Sequence, residues 1–506
     1  MGLIMHRFLI VTAFTFMVVF TGFITACRSS DGETISGEAP TPGTDKTWNT
    51  LPIPPLLEDL NSEAGIAEFE LVAGESESFF FGGVETPTYG YNGSYLGPVI
   101  RVRRGDDVTI KVKNELGEET TVHWHGLLVP GEFDGGPHQV IEPGGEWEPH
   151  FTIEQPAATL WYHPHPHGNT GRQVYMGLAG LFIIDDAVSD SLDIPKKYGV
   201  NDIPLIIQDR RFAADGSFEY KTDMTDIMQG MLGDTILVNG AVNTYLDVTA
   251  ENVRFRILNG SNARTYNLSL SDSREFYQIA SDSGFLGEPV KMRTLRLSPG
   301  ERAEIIVDFS PYETGEKITL VSPGFEIVEF RVIDGVEDTE TIPELLTVVE
   351  KTPESDAEIT RSVELTGMGP NVSINGLKFD MDRIDEFVEL GATEIWEISN
   401  LSTMMGHGMA GRGIHGGRGG MMGRHGSGMM GAVAHPFHIH GVRFQLLDRD
   451  GRPPPANERG WKDTVLIEPG ETVRVIARFD YPGIFVYHCH ILEHEDDGMM
   501  AQCEVR

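Results

Sequence analysis

Four short stretches of this chain concentrate residues that can bind metal. His123-Trp-His125 is followed by Trp161-Tyr-His163-Pro-His165-Pro-His167. Far downstream come His435-Pro-Phe-His438-Ile-His440 and His488-Cys489-His490, with His494 and Met499 close behind. Eleven of the 17 histidines fall in these stretches. Residues two apart on a strand face the same way, so each His-x-His pair sets two imidazoles side by side. One such pair is an ordinary strand feature. Four of them, His123/His125, His163/His165, His438/His440 and His488/His490, offer eight nitrogens, as a site for several metal ions needs. Two pairs lie in the first part of the chain and two in the last, so distant segments must meet to form one site.

The same rule separates a second site. His435 stands three residues before His438, and Cys489 stands between His488 and His490, so on extended strands both face away from the paired histidines. With His494, and Met499 as a weak axial thioether, they make the His₂Cys-plus-Met donor set of a blue-copper electron-transfer centre. Zinc is the main rival. Its sites are usually closed tetrahedra or three-ligand catalytic sites, and eight paired imidazoles beside a separate thiolate–thioether set suit copper better. Cys489 is bonded through the chain to two histidines of the larger cluster, a short route for an electron.

The elements that position these residues read as strands. A chain of 506 residues suggests about three domains; 58 glycines, 29 prolines and scarce helical periodicity point to short strands and tight turns. Val108-Thr-Ile-Lys-Val-Lys alternates with period two. Blocks close near residue 186, begin again at Ile203, and begin a third time near Ile359, with an acidic linker over 337–356. Each block has an Asn-Gly turn (Asn92, Asn239, Asn375) and a Pro-Gly turn (Pro143, Pro299, Pro469). This weak repeat predicts three related all-β sandwich domains, at 51–190, 191–350 and 351–506.

The N-terminus reads as a targeting segment. An apolar run from Phe8 closes on Ile24-Thr25-Ala26-Cys27, similar to a bacterial lipoprotein signal in which the cysteine is lipidated. Residues 1–27 are set aside as signal and 28–50 as a flexible tether. The expected location is the cell envelope, as an exported periplasmic or outer-surface lipoprotein whose only membrane attachment is that lipid. Three cysteines give no disulfide framework; Cys503 reads as a core thiol. A net charge of −37 disfavours nucleic acid and would concentrate cations near the protein.

Taken together, these stretches and Gly171-Arg-Gln-Val-Tyr-Met-Gly-Leu-Ala-Gly-Leu resemble the multicopper oxidases, in particular bacterial three-domain laccases and cuprous oxidases. The resemblance implies three cupredoxin-like Greek-key β-sandwich domains and a monomer holding four copper ions. A type 1 copper would be held by His435, Cys489, His494 and Met499. A type 2 copper would be held by His123 and His438, and a type 3 pair by His125, His163, His165, His440, His488 and His490. It implies one-electron oxidation of a substrate at the type 1 copper and four-electron reduction of dioxygen to water at the cluster. Asp134 and Glu495 match the family's acidic proton-handling residues. His138 and His167 are expected outside the ligand set.

One tract stands apart. Residues 404–431, just before His435, are glycine-rich and carry Met404, Met405, His407, Met409, Met421, Met422, His425, Met429 and Met430. Thioethers are soft ligands suited to Cu(I), and histidine binds copper in either state. The tract favours an oxidase acting on Cu(I) for copper tolerance over a laccase acting on phenols or other aromatic donors. A flexible spacer is the plain alternative, because the acid and methionine residues that cuprous oxidases carry before His-Pro-Phe-His are replaced here by Gly431-Ala-Val-Ala434. A copper-binding lipoprotein with little turnover is a third reading, and the intact ligand set argues against it. A nitrite reductase is disfavoured, because one chain carries both halves of the cluster.

Overall fold

The computed structural model describes residues 47–335, 341–401 and 432–506. Period-two alternation becomes strands wherever one face is buried. Asp107–Asn114 buries Val108, Ile110 and Val112 and leaves its lysines only partly covered. Among the described residues, the strands assemble into six sheets that pair along the chain. A five- and a four-stranded sheet lie between Ile66 and Asp185. A seven-stranded sheet and five strands of a six-stranded one lie between Asp202 and Ile333, the sixth strand being Asn49–Thr50, and two five-stranded sheets lie between Ile359 and Val505.

Each pair encloses its own apolar core. Leu71, Val108, Trp124 and Phe182 sit in the first, Leu205, Phe255, Ile305 and Phe330 in the second, and Trp396, Phe437, Val475 and Tyr487 in the third. The all-β, three-sandwich architecture expected from the turn signals is therefore the one found. Among the described residues no helix is long and apolar enough to cross a membrane.

The weak sequence repeat has a structural counterpart. Each sandwich contains a parallel strand pair whose second strand ends on asparagine, with Ala73 opposite Asn114, Ile207 opposite Asn259 and Leu365 opposite Asn400. In each, the asparagine carbonyl accepts from the glycine of the Pro-Gly turn: Gly144, Gly300 and Gly470. All three glycines have positive φ, of 75°, 81° and 80°, which a type II turn demands and glycine adopts without steric cost.

The expected tether up to residue 50 is shorter than its composition suggested. Asn49–Thr50 is a strand, parallel to Thr244–Tyr245 and anchored by Asn49 Nδ2 to the Val242 carbonyl at 2.8 Å. Two residues are too few for any period to register in the sequence.

The elements that carry or pack around the clustered histidines are short. They are β1 (His123–His125), β2 (Ala158–His163), β3 (His435–Ile439), β4 (Thr464–Ile467), β5 (Gly483–Cys489) and β6 (Met500–Val505), with helices α1 (Thr170–Met176), α2 (Met224–Gln229) and α3 (Leu492–Asp496).

Candidate metal centre

Two antiparallel strand pairs build the centre. In the first sandwich β1 lies on β2, with His123 opposite His163 and His125 opposite Trp161. In the third, β3 lies on β5, with His438 opposite His488 and Phe437 opposite Cys489. The halves meet through stacked imidazoles. His123 lies over His440 and His125 over His438, each pair with ring centres 3.7 Å apart. All eight paired histidines are buried.

Their nitrogens converge in groups. His123, His125 and His438 form one, His125, His163 and His490 a second, and His165, His440 and His488 a third, each with donor atoms within 4.8 Å of one another. Outward hydrogen bonds fix which nitrogen faces in. His123 Nδ1 and His438 Nδ1 donate to the carbonyls of Asp134 (3.0 Å) and Asp463 (2.8 Å), leaving both Nε2 atoms buried without a partner. His163 Nδ1 is held by the Pro164 carbonyl at 2.9 Å. His125 is reversed: its Nε2 faces Asp463 and Thr464, so its Nδ1 points inward, 3.4 Å from His163 Nε2.

The Nε2 atom of His488 lies 3.2 Å from the Nε2 of both His165 and His440. Facing lone pairs at that distance repel unless a proton or a cation lies between them. Burial, then mutual repulsion, pushes the pKa of His125, His163, His438 and His440 well below the usual imidazole value. Burial takes His490 down to about 3; it does the same to His165 against the pull of Glu495. Neutral, buried imidazoles with unpartnered inward nitrogens are the form in which histidine binds metal, so the donor set fits copper.

The second site lies on the other face of the same strands. His435 Nδ1 is 3.3 Å and His494 Nδ1 3.9 Å from Cys489 Sγ, all three within one group. Met499 is fully buried beside them, its amide on the His494 carbonyl and its carbonyl on the Cys489 amide. Burial pushes the Cys489 thiol up; a bound cation is what would displace its proton. His494 turns its Nε2 to the Met228 carbonyl on α2, at 3.1 Å.

Both expected acids touch the clustered histidines. Asp134 Oδ2 accepts from His440 Nδ1 at 2.7 Å and lies 3.4 Å from His123 Nδ1. Glu495 Oε2 is 3.1 Å from His488 Nδ1 and Oε1 3.5 Å from His165 Nδ1. These contacts lack the alignment of a hydrogen bond, and both oxygens are otherwise unpartnered. Burial would raise the pKa of Glu495, but His165 and His488 beside it hold it low.

His138 bonds Gln502 and His167 packs against Phe379, both outside the cluster. Cys503 is a buried thiol in β6. Cys27 and the tract residues Met404, Met405, His407, Met409, Met421, Met422, His425, Met429 and Met430 lie outside the described residues. The tract's flanks are joined, Asn400 Nδ2 donating to the Val433 carbonyl at 2.9 Å.

Sequence reasoning missed Asp463 and Arg302. Arg302, on the middle sandwich, grips Asp463 with two bonds of 2.7 and 2.6 Å, and Asp463 faces His125 Nε2 at 3.2 Å. Gly126, which ends His-Trp-His-Gly, makes room: a Cβ there would meet Asp463 Oδ2 at 2.5 Å and Arg302 Nη2 at 2.7 Å. The faint signal was a charged Lys462-Asp463 pair leading into the apolar strand β4.

Two family profiles, each described as Multicopper oxidase, match residues 73–189 and 349–506 respectively. The chain is 40% identical over 461 residues to "Multicopper oxidase mco" of Staphylococcus haemolyticus, covering 90% of this chain and 92% of the relative. It is 37% identical over 477 residues to "Cell division protein FtsP" of Xenorhabdus nematophila, with the same coverage. The crystal structure of a laccase from Pediococcus acidilactici superposes with a TM-score of 0.83 at 40% identity, covering 93% of this chain and 96% of that one.

Proposed function

The chain belongs to the multicopper oxidase family and is an oxidoreductase, and from that premise we propose that it takes electrons singly from Cu(I) and passes them to dioxygen. Four copper ions would be held as the donor groups suggest. His435, Cys489, His494 and Met499 would hold one, His123 and His438 a second, and His125, His163, His165, His440, His488 and His490 a pair. Bound copper would supply one-electron exchange at the cysteine site and four-electron reduction of dioxygen to two waters at the cluster, with four protons consumed. The observation that carries this reading is the set of buried, inward nitrogens without partners on His123, His438 and His490.

The protein's own contribution is position and protons. Cys489 is bonded through the backbone to His488 and His490, so the route between sites is covalent. Asp134 fixes the tautomers of His440 and His123, and Glu495 lies against His165 and His488. Glu495 is placed to carry protons from the α3 side. Burial of every ligand excludes bulk water from the cluster.

Cu(I) is preferred to phenols because the thioether-rich tract 404–431 enters β3 directly at His435. A laccase acting on aromatic donors is the second reading, favoured by the Pediococcus laccase similarity. Export as a lipoprotein anchored at Cys27 belongs to the same reading, as do domain limits near residues 190 and 350.

The test is oxygen uptake by the copper-loaded chain fed Cu(I) or a phenol, with residues 404–431 present or deleted. Loss of the Cu(I) rate alone on deletion supports a cuprous oxidase. An unchanged Cu(I) rate leaves a laccase with a spacer. Cys489→Ser is expected to abolish both rates and the blue colour; retained uptake would reject the electron route.

A further inference from the structure

A cleft of about 260 Å³ lies away from the two metal sites, where residues from all three sandwiches and the 341–350 segment meet. Its walls include Arg104, Arg443, Trp461, Phe285, Val349 and Ser283. The two arginines are out of keeping with their surroundings. The chain carries 76 acids against 39 bases, and most arginines, such as Arg101, Arg103 and Arg449, hold a carboxylate. Among the described residues, neither Arg104 nor Arg443 has a carboxylate within ion-pair distance. The guanidinium carbon of Arg443 lies over Trp461, 4.3 Å from the ring centre, and its Nη1 is buried without a hydrogen-bond partner. Burial, and then repulsion from Arg104, lower its pKa. An anion between the guanidiniums would relieve both penalties.

Two acids also line the cleft. Asp186 is committed elsewhere, its Oδ1 accepting from Ser189 N and its Oδ2 from Ala157 N. Glu350 is exposed and is not paired with either arginine. The other walls suit an apolar body: Trp461, Phe285, Val349, Pro156 and Ala157. A cavity on the order of 150 Å³ holds a benzene ring, so this cleft has room for a ring and its acid group. A bare phosphate would leave the indole and the aliphatic wall uncovered.

We propose that this cleft binds a small aryl carboxylate, its acid group between Arg104 and Arg443 and its ring against Trp461 and Phe285. The site is separate from the copper ligands. Ser283 is its wall on that side and donates to Asp463 Oδ2 at 3.0 Å.

The experiment is calorimetric titration of the copper-loaded full chain with benzoate, with indole emission followed in parallel. One saturable site is expected, weakened at least tenfold by Arg104→Gln and by Arg443→Gln, and unchanged by Arg452→Gln, an exposed arginine outside the cleft. The emission change should vanish in Trp461→Phe, and inorganic phosphate should bind at least tenfold more weakly. Arg104 is exposed, so its variant tests the site even if Arg443→Gln disturbs packing. Absent benzoate binding, wild-type affinity in the Arg104 variant, or phosphate binding as tight as benzoate would each overturn the proposal.

Discussion

Asp463 is the residue on which the histidine centre and the interior charge network meet. It accepts from Arg302 through both oxygens, from Ser283 and Thr464, and faces His125 Nε2. Burial would raise its pKa, and Arg302 holds it below the usual carboxylate range. Removing one partner of a buried ion pair leaves the other charge unpaired, at a cost of about 3–5 kcal/mol. Asp463→Ala is therefore expected to lower the unfolding free energy extracted from urea titration by that amount. The double variant Arg302→Met/Asp463→Leu should lose less than the sum of the two single changes; strict additivity would show that the pair is not coupled. The histidines were legible because alternation along one strand is a local property, so the side of the sheet on which Cys489 lies follows from its two neighbours. Asp463 was not, because its partner is 161 residues away, and an acid after a lysine reads as a solvated surface pair.

At the scale of elements, the repeat was legible as dipeptides, while its mechanism lay in side chains. Asn114, Asn259 and Asn400 each end a strand and donate to a carbonyl three residues before the Pro-Gly glycine: Ile141, Leu297 and Ile467, at 2.8, 2.9 and 3.0 Å. The Asn-Gly turns repeat a second clamp. Asn92, Asn239 and Asn375 accept from Val72, Ile206 and Glu364 and donate two residues back along the same strand, to Glu70, Pro204 and Ser362. Short loops thus pin the strands from which the sandwiches are built, and a repeated dipeptide alone cannot reveal which carbonyl it reaches. Each of Asn114→Ala, Asn259→Ala and Asn400→Ala should cost about 1–3 kcal/mol, the penalty for leaving buried carbonyls unsatisfied. Asn259→Asp should be worse than Asn259→Ala in thermal unfolding, because a carboxylate would face carbonyl oxygens. If aspartate were tolerated as well as asparagine, the donor role assigned to the amide would be wrong. Asn400 carries one further consequence. Its bond to Val433 joins the flanks of the 404–431 tract, so Asn400→Ala should also increase proteolytic cutting at Leu401 or Val433.

At the scale of the molecule, the middle sandwich supplies none of the clustered histidines, yet it braces the strands that do. Arg256 joins Asp202 and Glu304 to Thr159 of β2, and Arg302 reaches the Thr159 carbonyl as well as Asp463. Burial would raise the pKa of Asp202 and Glu304, but Arg256 and Arg254 hold both below the usual carboxylate range. A depressed folded pKa gives stability that is full above the unfolded value of about 4 and is lost as pH falls through the folded one. Unfolding midpoints should therefore drop below about pH 4, and Glu304→Gln should flatten that drop. A slope unchanged in the variant would place acid sensitivity elsewhere. The net charge of −37 acts over a longer range. A field of that sign raises the local concentration of cations and speeds their encounter, and salt screens it within about 10 Å at 0.1 M. If Cu(I) is the substrate, kcat/KM for a cationic copper complex should fall roughly tenfold between 0.01 and 0.3 M ionic strength, while the value for a neutral phenol stays level. The same salt should raise the urea midpoint of the apoprotein, because it screens self-repulsion. Equal salt dependence for the cationic and the neutral donor would remove electrostatic gathering as a reason for the acidic surface, and would leave solubility as its role.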